Sequence, residues 1–352
     1  MLVLARESRG WTQKELSDSL GVTQSEISKM EGGLRIPSPD LLKRLATELH
    51  YPVTFFYQTE PIYGAGLSEL FHRKRQDIAV KTLAKIHARV NIRRIHLSRL
   101  LRAVDIPECK ISRLDVEESQ TPIEDIARRV RANWNLPRGP VGNLSGAIED
   151  AGGIITPCEF ETQRVDAISQ WIPPLPPMFF VNVNLPQDRL RFTLAHELGH
   201  IIMHQASHSN IDPSLNPRAE KEADLFSAEF LMPEREVRSD LHDISLARLA
   251  VLKPYWRVSM GALLKRASDL GMITPGRAKV LWIQYSAAGY RTREPIELDL
   301  KCESASLLQE VLYIHRDALG YSLKDMGKLL EALDDEIESM YFPRKPTLRL
   351  VG

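Results

Sequence analysis

Apolar residues recur at helical spacing from the start of the chain. Leu16, Leu20, Val22, Ile27 and the leucines of 41–49 are candidate core positions among polar neighbours. Helices are predicted over 12–20 and 23–31, with Gly21-Val22 as a tight turn and Thr23 as the cap of the second. Residues 64–106 read as helical and amphipathic, with Leu83, Ile86, Val90, Ile92, Ile95, Leu97 and Leu100 marking apolar faces. Beyond Pro107 and Pro122 come predicted helices at 124–134 and 143–151. Strands are expected at 153–156, 165–169 and 178–183, with the proline cluster 173–177 as a loop. Long helices follow at 187–204 and 218–231. The remainder reads as helical, apart from a charged strand-like piece near 296–300.

This pattern predicts a multidomain chain: an all-α helix-turn-helix domain over 1–60, a basic helical linker region over 61–120, an α+β domain over 121–290 and a mostly α-helical C-terminal region over 291–352. Formal net charge is +0, so overall charge favours no class of partner. Its distribution says more. From Phe71 to Arg102 ten Lys or Arg face one acidic residue, Asp77, which suits either a nucleic-acid surface, such as a sensor of single-stranded DNA, or the solvated face of a linker. Three widely spaced cysteines, Cys109, Cys158 and Cys302, fit a reducing compartment rather than a disulfide framework. Arg6 and Glu7 argue against a secretory leader, and no apolar run reaches the length of a membrane span. A cytoplasmic protein without a membrane partner is expected.

The chemistry concentrates in His196-Glu197-Leu198-Gly199-His200. His196 and His200 are one helical turn apart, so both imidazoles leave one face and can share an ion. Glu197 lies about 100° around the helix, within reach of a water on that ion. A third protein ligand would leave one open position for solvent. His204 is eight residues from His196, about 12 Å along the axis, and cannot join. The remaining supply is acidic: Glu220 and Asp224 are four apart on one face of the 218–231 helix, whereas Glu222 points about 200° away from Glu220. Glu220 on the metal and Asp224 behind a histidine is the expected division of labour. Zinc is the expected ion, with manganese a possible substitute. Glu197 would then act as the general base of peptide hydrolysis. Tyr255, His242 and Arg257 are unranked candidates for stabilising the oxyanion, and the 178–183 strand is a candidate edge for an extended substrate.

Residues 187–233, with Arg189-Leu190-Arg191-Phe192-Thr193-Leu194-Ala195 ahead of His196 and Phe226-Ser227-Ala228-Glu229-Phe230-Leu231-Met232-Pro233 behind, resemble the ImmA/IrrE family of bacterial metallopeptidases. The likeness extends over about 120–275. It implies a zincin-like (thermolysin-like) fold, a third ligand thirteen residues before Pro233, which is Glu220, and cleavage of a helix-turn-helix repressor in mobile-element, phage-defence or DNA-damage control. Ser227 departs from the family's usual alanine.

Residues 2–57 resemble the XRE/Cro repressor domains, through Arg9-Gly10-Trp11-Thr12-Gln13 and Gln24-Ser25-Glu26-Ile27-Ser28. The resemblance implies a second helix that enters the major groove of duplex DNA with Thr23, Gln24, Ser25, Ser28 and Lys29, and a phosphate contact at Gln13. Residues 319–341 echo 9–31 without gaps, with identities at Gly320, Lys324, Leu330, Glu336, Ile337 and Met340. In that echo Asp334, Asp335 and Glu338 stand where Gln24, Ser25 and Ser28 stand, and carboxylates there would be repelled by phosphate. A degenerate helix-turn-helix is thus a candidate for the C-terminal region. Two functions follow: a zinc endopeptidase that cleaves a repressor, or a DNA-binding regulator whose metal site is structural or sensory.

Overall fold

The computed structural model describes residues 1–63, 78–114, 116–204, 217–303 and 305–342. In chain order the α-helices are α1 Leu2–Ser8, α2 Gln13–Leu20, α3 Gln24–Glu31, α4 Pro39–Glu48, α5 Val80–Leu100, α6 Val116–Ser119, α7 Ile123–Asn133, α8 Leu144–Asp150, α9 Gln187–Met203, α10 Pro217–Leu231, α11 Glu234–Val237, α12 Leu246–Trp256, α13 Met260–Asp269, α14 Pro275–Ala287, α15 Leu307–Tyr313, α16 Leu323–Leu330 and α17 Asp334–Tyr341. The strands are β1 Ile154–Cys158, β2 Ala167–Gln170 and β3 Met178–Asn182. The described residues divide into two compact units: those of 1–63, 78–106 and 308–342 form the first, and those of 107–307 the second.

Capping chemistry sets the helices of the first unit. Thr12 and Thr23 each accept the amide of a glutamate three residues on, and Glu15 and Glu26 reach back to the cap's own amide. Between them Gly21 turns the chain at φ 62°, a left-handed conformation that suits glycine. Ser38 caps α4, whose first residue is Pro39. Leu16, Leu20, Ile27, Leu45 and Phe55 then share one core with Ala88, Ile92 and Ile95 of α5. Thr12→Ala is expected to cost about 1 kcal/mol, seen as a lower melting temperature by circular dichroism.

The basic helix is therefore built into this unit. Lys81 reaches Glu15 at 2.7 Å, Arg89 donates to the Ser8 carbonyl, buried Arg94 to the Pro61 carbonyl, and Arg99 to Glu60 at 2.6 Å. Of these cations Lys81 is exposed, whereas Arg94 is buried and Arg89 and Arg99 are partly so. The part of the basic stretch before residue 78 lies outside the described residues. The C-terminal helices pack on the end of α5, where the His96 ring lies 2.9 Å from the Tyr341 hydroxyl and Arg99 donates to the Leu329 carbonyl.

In the second unit a mixed sheet has the order β1-β3-β2. β1 runs parallel to β3, from Ile154 beside Met178 to Cys158 beside Asn182. β2 is antiparallel to β3, with Ala167 beside Val181 and Gln170 beside Met178. β3 is thus internal and paired on both sides, so it has no free edge to offer a substrate, contrary to the expectation above. The 296–300 segment is a 3-10 turn, Ile296–Leu298, rather than a strand. It follows Pro295 and pairs with no strand among the described residues.

α9 packs on β2 and, most extensively, on α10. The approach depends on Gly199: a Cβ there would lie 3.1 Å from the Phe226 ring and 3.4 Å from the Ala223 Cα. Glycine facing alanine lets the two helices come close, and this carries the acidic face of α10 over the histidines of α9. Ser227 fits inside α10, its hydroxyl donating to the Ala223 carbonyl at 2.7 Å. The end of α10 is tied down by fully buried Glu229, which pairs with Arg128 and Arg266 and accepts the Glu234 amide.

Candidate metal centre

His196, Glu197 and His200 lie in the C-terminal half of α9, with His200 in its last turn and Leu194, Ala195, Leu198, Ile201 and Ile202 buried around them. The two ring nitrogens His196 Nε2 and His200 Nε2 are 2.9 Å apart. Glu220 Oε1, from α10, lies 3.4 Å from the first and 3.2 Å from the second. The arrangement brings together the three groups that the sequence nominated as ligands.

Their protonation follows from what stands behind them. His196 Nδ1 is 3.1 Å from Asp224 Oδ1, and a carboxylate can only accept, so Nδ1 carries the proton. His204 Nε2 is 3.0 Å from Glu222 Oε2 and donates for the same reason. The neutral His204 ring then accepts through Nδ1, which lies 2.8 Å from His200 Nδ1, so His200 also carries its proton on Nδ1. Burial, reinforced by the imidazoles of His196 and His204, holds the His200 pKa well below the ordinary histidine value, in keeping with a neutral ring.

With the protons on Nδ1, both Nε2 atoms present acceptor lone pairs, and they face each other. Glu220 Oε1 is a third: it is buried and has no hydrogen-bond partner among the described residues. Burial first, then the charge of Asp224, pushes the Glu220 carboxyl up to about 7. Converging acceptors repel one another, and a proton or a cation among them removes the conflict. Tetrahedral zinc ligands at about 2.0–2.1 Å are separated from one another by roughly 3.3 Å, close to the spacings here. The donor set fits a divalent metal.

Residues 148–268 match a peptidase M78 family model, described as an IrrE N-terminal-like domain, and residues 2–56 match a helix-turn-helix model. The chain joins a helix-turn-helix domain to an IrrE N-terminal-like domain. It is also similar to two uncharacterized HTH-type transcriptional regulators, from Sinorhizobium medicae and Rhizobium meliloti, each 35% identical over 63 residues. That stretch is 18% of this chain and 45% of each relative, so the chain spans less than half the length of the curated relatives it matches.

In the IrrE-like domain, three participants escaped the sequence reading. Ser169 of β2 donates to Glu197 Oε2 at 2.6 Å and fixes the carboxylate that adjoins the histidines. His204, which is not a ligand, stands behind His200, and Glu222 stands behind His204. A one-turn search starting from His200 would have found His204; nothing local marks Ser169, which only the sheet brings near. His204→Ala is expected to weaken zinc binding by about 10–100-fold, as loss of such outer partners generally does. Competition with a chromophoric chelator measures this, and an unchanged affinity would deny His204 any role in orienting His200.

A cavity of about 850 Å³ extends from Phe192 and Asp224 to Trp282, Tyr290 and buried Lys253, and neither Glu197 nor any of the three converging groups lies on its wall. Of the oxyanion candidates, Arg257 gives its guanidinium to the Gly142 carbonyl, while Tyr255 and His242 are exposed, so no ranking emerges. In the helix-turn-helix domain Gln24, Ser25, Ser28 and Lys29 are all exposed along α3. Thr23 is its cap. Gln13 is half-buried, and its amide donates to Glu31 at 2.8 Å. No described helix is long and apolar enough to cross a membrane.

Proposed function

We propose that this protein is a zinc-dependent endopeptidase that cleaves a DNA-binding repressor and relieves transcriptional repression, while its own helix-turn-helix domain holds it on duplex DNA. The observation that carries the reading is the convergence of three ligand atoms, His196 Nε2, His200 Nε2 and Glu220 Oε1, one residue away from a carboxylate fixed by Ser169. A purely structural zinc site has four protein ligands and no use for Glu197.

His196, His200 and Glu220 would hold the ion, with manganese an acceptable replacement in the same set. When bound, zinc supplies Lewis acidity that polarises the scissile carbonyl and lowers the pKa of water. Glu197 takes a proton from the attacking water as its oxygen bonds to the carbonyl carbon. It returns that proton to the nitrogen as the C–N bond breaks, leaving a carboxylic acid and an amine, and the second proton of the water then passes from the acid to the amine. Ser169 holds one carboxylate oxygen by donating to it, which keeps the other directed for transfer. Asp224 and the His204–Glu222 pair hold the two imidazoles with their Nε2 lone pairs inward. On the DNA side, Gln24, Ser25, Ser28 and Lys29 would face base edges in the major groove.

The test is incubation of the purified, zinc-loaded chain with the helix-turn-helix repressor encoded beside it, with and without single-stranded DNA as an activator. Cleavage by the wild type that disappears in Glu197→Gln is expected. A protein that retains zinc yet cleaves no candidate repressor under either condition would instead be a regulator with a structural or sensory ion.

A further inference from the structure

The first unit contains the same supersecondary motif twice. Gln13–Leu20 and Gln24–Glu31 correspond to Leu323–Leu330 and Asp334–Tyr341, so all four helix bounds are displaced by 310 residues. The same displacement relates Gly10 at φ 70° to Gly320 at φ 71°. It relates the Thr12–Glu15 capping box to that of Ser322 with Asp325. It also relates left-handed Gly21 to Glu331, which holds φ 54° without being glycine. The turn is closed by the same backbone bond in both, Val22 N to Ser17 O at 3.1 Å and Ala332 N to Gly327 O at 3.0 Å. Leu16, Leu20 and Ile27 answer to Met326, Leu330 and Ile337, none more than 3% exposed. Six identities in 23 residues are weak evidence alone. Coincident bounds, caps, turn and core are much stronger.

The copies differ where the first would meet DNA. Asp334, Asp335, Glu338 and Ser339 replace Gln24, Ser25, Ser28 and Lys29, which trades one positive charge for three negative ones. Beside phosphate such a surface is repelled. The cap changes too. Thr23 becomes Leu333, which makes no side-chain cap, so Glu336 is released from the role that Glu26 plays in the first copy. Glu336 instead pairs with Arg9 at 2.7 Å, and Asp335 lies 2.8 Å from His50. Arg9 in turn donates to the Leu49 and His50 carbonyls at the end of α4. We infer that α16 and α17 are a second helix-turn-helix copy that has given up DNA reading, its former groove-facing helix now docking onto the first copy, so that each chain presents a single DNA-reading helix together with a built-in partner.

Two measurements on the full-length chain test this. In the first, Glu336→Arg sets like charges against Arg9. Hydrogen–deuterium exchange of amides 46–52 is expected to quicken about fivefold or more, with exchange across 148–268 unchanged; unaltered exchange at 46–52 would mean that α17 does not dock there. This arm needs no DNA, so its failure is distinct from failure of the DNA-binding proposal. In the second, duplexes are selected from a random pool by the wild-type chain. Gln24→Ala with Lys29→Ala should lose at least tenfold in affinity for them, whereas Asp334→Gln with Glu338→Ser should bind as well as wild type or better. A tenfold loss in the latter variant, with its melting temperature intact, would show that the C-terminal copy reads DNA and overturn the inference.

Discussion

Glu197→Gln is expected to lower the rate of repressor cleavage by about 10²–10⁴-fold, the range that a positioned general acid–base contributes. The substitution is close to isosteric. The amide oxygen of a glutamine can still accept from Ser169 Oγ, so the side chain keeps its place against β2. None of the three converging acceptors is altered, so zinc content should remain that of the wild type. What disappears is the ability to take a proton from water and give it to the leaving nitrogen. The expected signature is a fall in kcat at unchanged metal occupancy, followed by gel or mass-spectrometric cleavage assays beside atomic absorption. Cleavage at the wild-type rate by the metal-loaded variant would remove Glu197 from the chemistry and leave the peptidase proposal without its base.

The parts of the centre that could be read in the sequence obey local rules. His196 and His200 share a helical face by spacing alone, and Glu220 with Asp224 do the same on α10. The caps at Thr12, Thr23 and Ser38 likewise mark helix starts in side-chain chemistry that a sequence displays openly. What stayed hidden depends on contacts between distant segments. Ser169 reaches Glu197 only because β2 lies along α9. Glu222 looked idle because it was compared with Glu220, whereas its partner, His204, is the C-terminal cap of α9.

In the basic helix α5 the apolar positions read from the spacing, Ile86, Val90, Ile92, Ile95 and Leu100, are buried, while several of its cations turn to carbonyls and carboxylates of the same unit. A long cationic side chain can cross apolar surface to reach such a partner, so charge along a helix is a poor guide to its exposure. At β3 the expected strand is present, but not the free edge. Its run Met178-Phe179-Phe180-Val181, buried throughout, is the composition of a strand with neighbours on both sides, and the sheet provides them.

Glu220→Gln is expected to abolish most of the stabilisation that zinc gives the IrrE-like domain, with a sign that distinguishes a ligand from an ordinary buried acid. At free zinc a thousandfold above the dissociation constant, a bound ion stabilises by about 4 kcal/mol. For a unit of roughly 200 residues that corresponds to a melting temperature about 8–16 °C higher than in excess chelator. Removing one of three protein ligands should weaken binding by more than the 10–100-fold typical of outer partners, so the zinc-dependent shift should shrink to a few degrees. The metal-free protein should behave in the opposite way. Burial and Asp224 raise the Glu220 carboxyl from 4.5 to about 7, so its contribution favours the fold while it is protonated and is lost as the pH rises from 4.5 through 7. At pH 8 the metal-free wild type carries that unfavourable charge and the glutamine variant does not, so in chelator the variant should melt no lower than wild type. At pH 4 the carboxyl is protonated in folded and unfolded chains alike, and the two should converge. Scanning calorimetry of both proteins, with zinc and with chelator at each pH, reads all of these outcomes. A variant that keeps the full zinc shift would place the third ligand elsewhere, and one that melts far below wild type in chelator would make Glu220 a structural residue rather than a metal ligand.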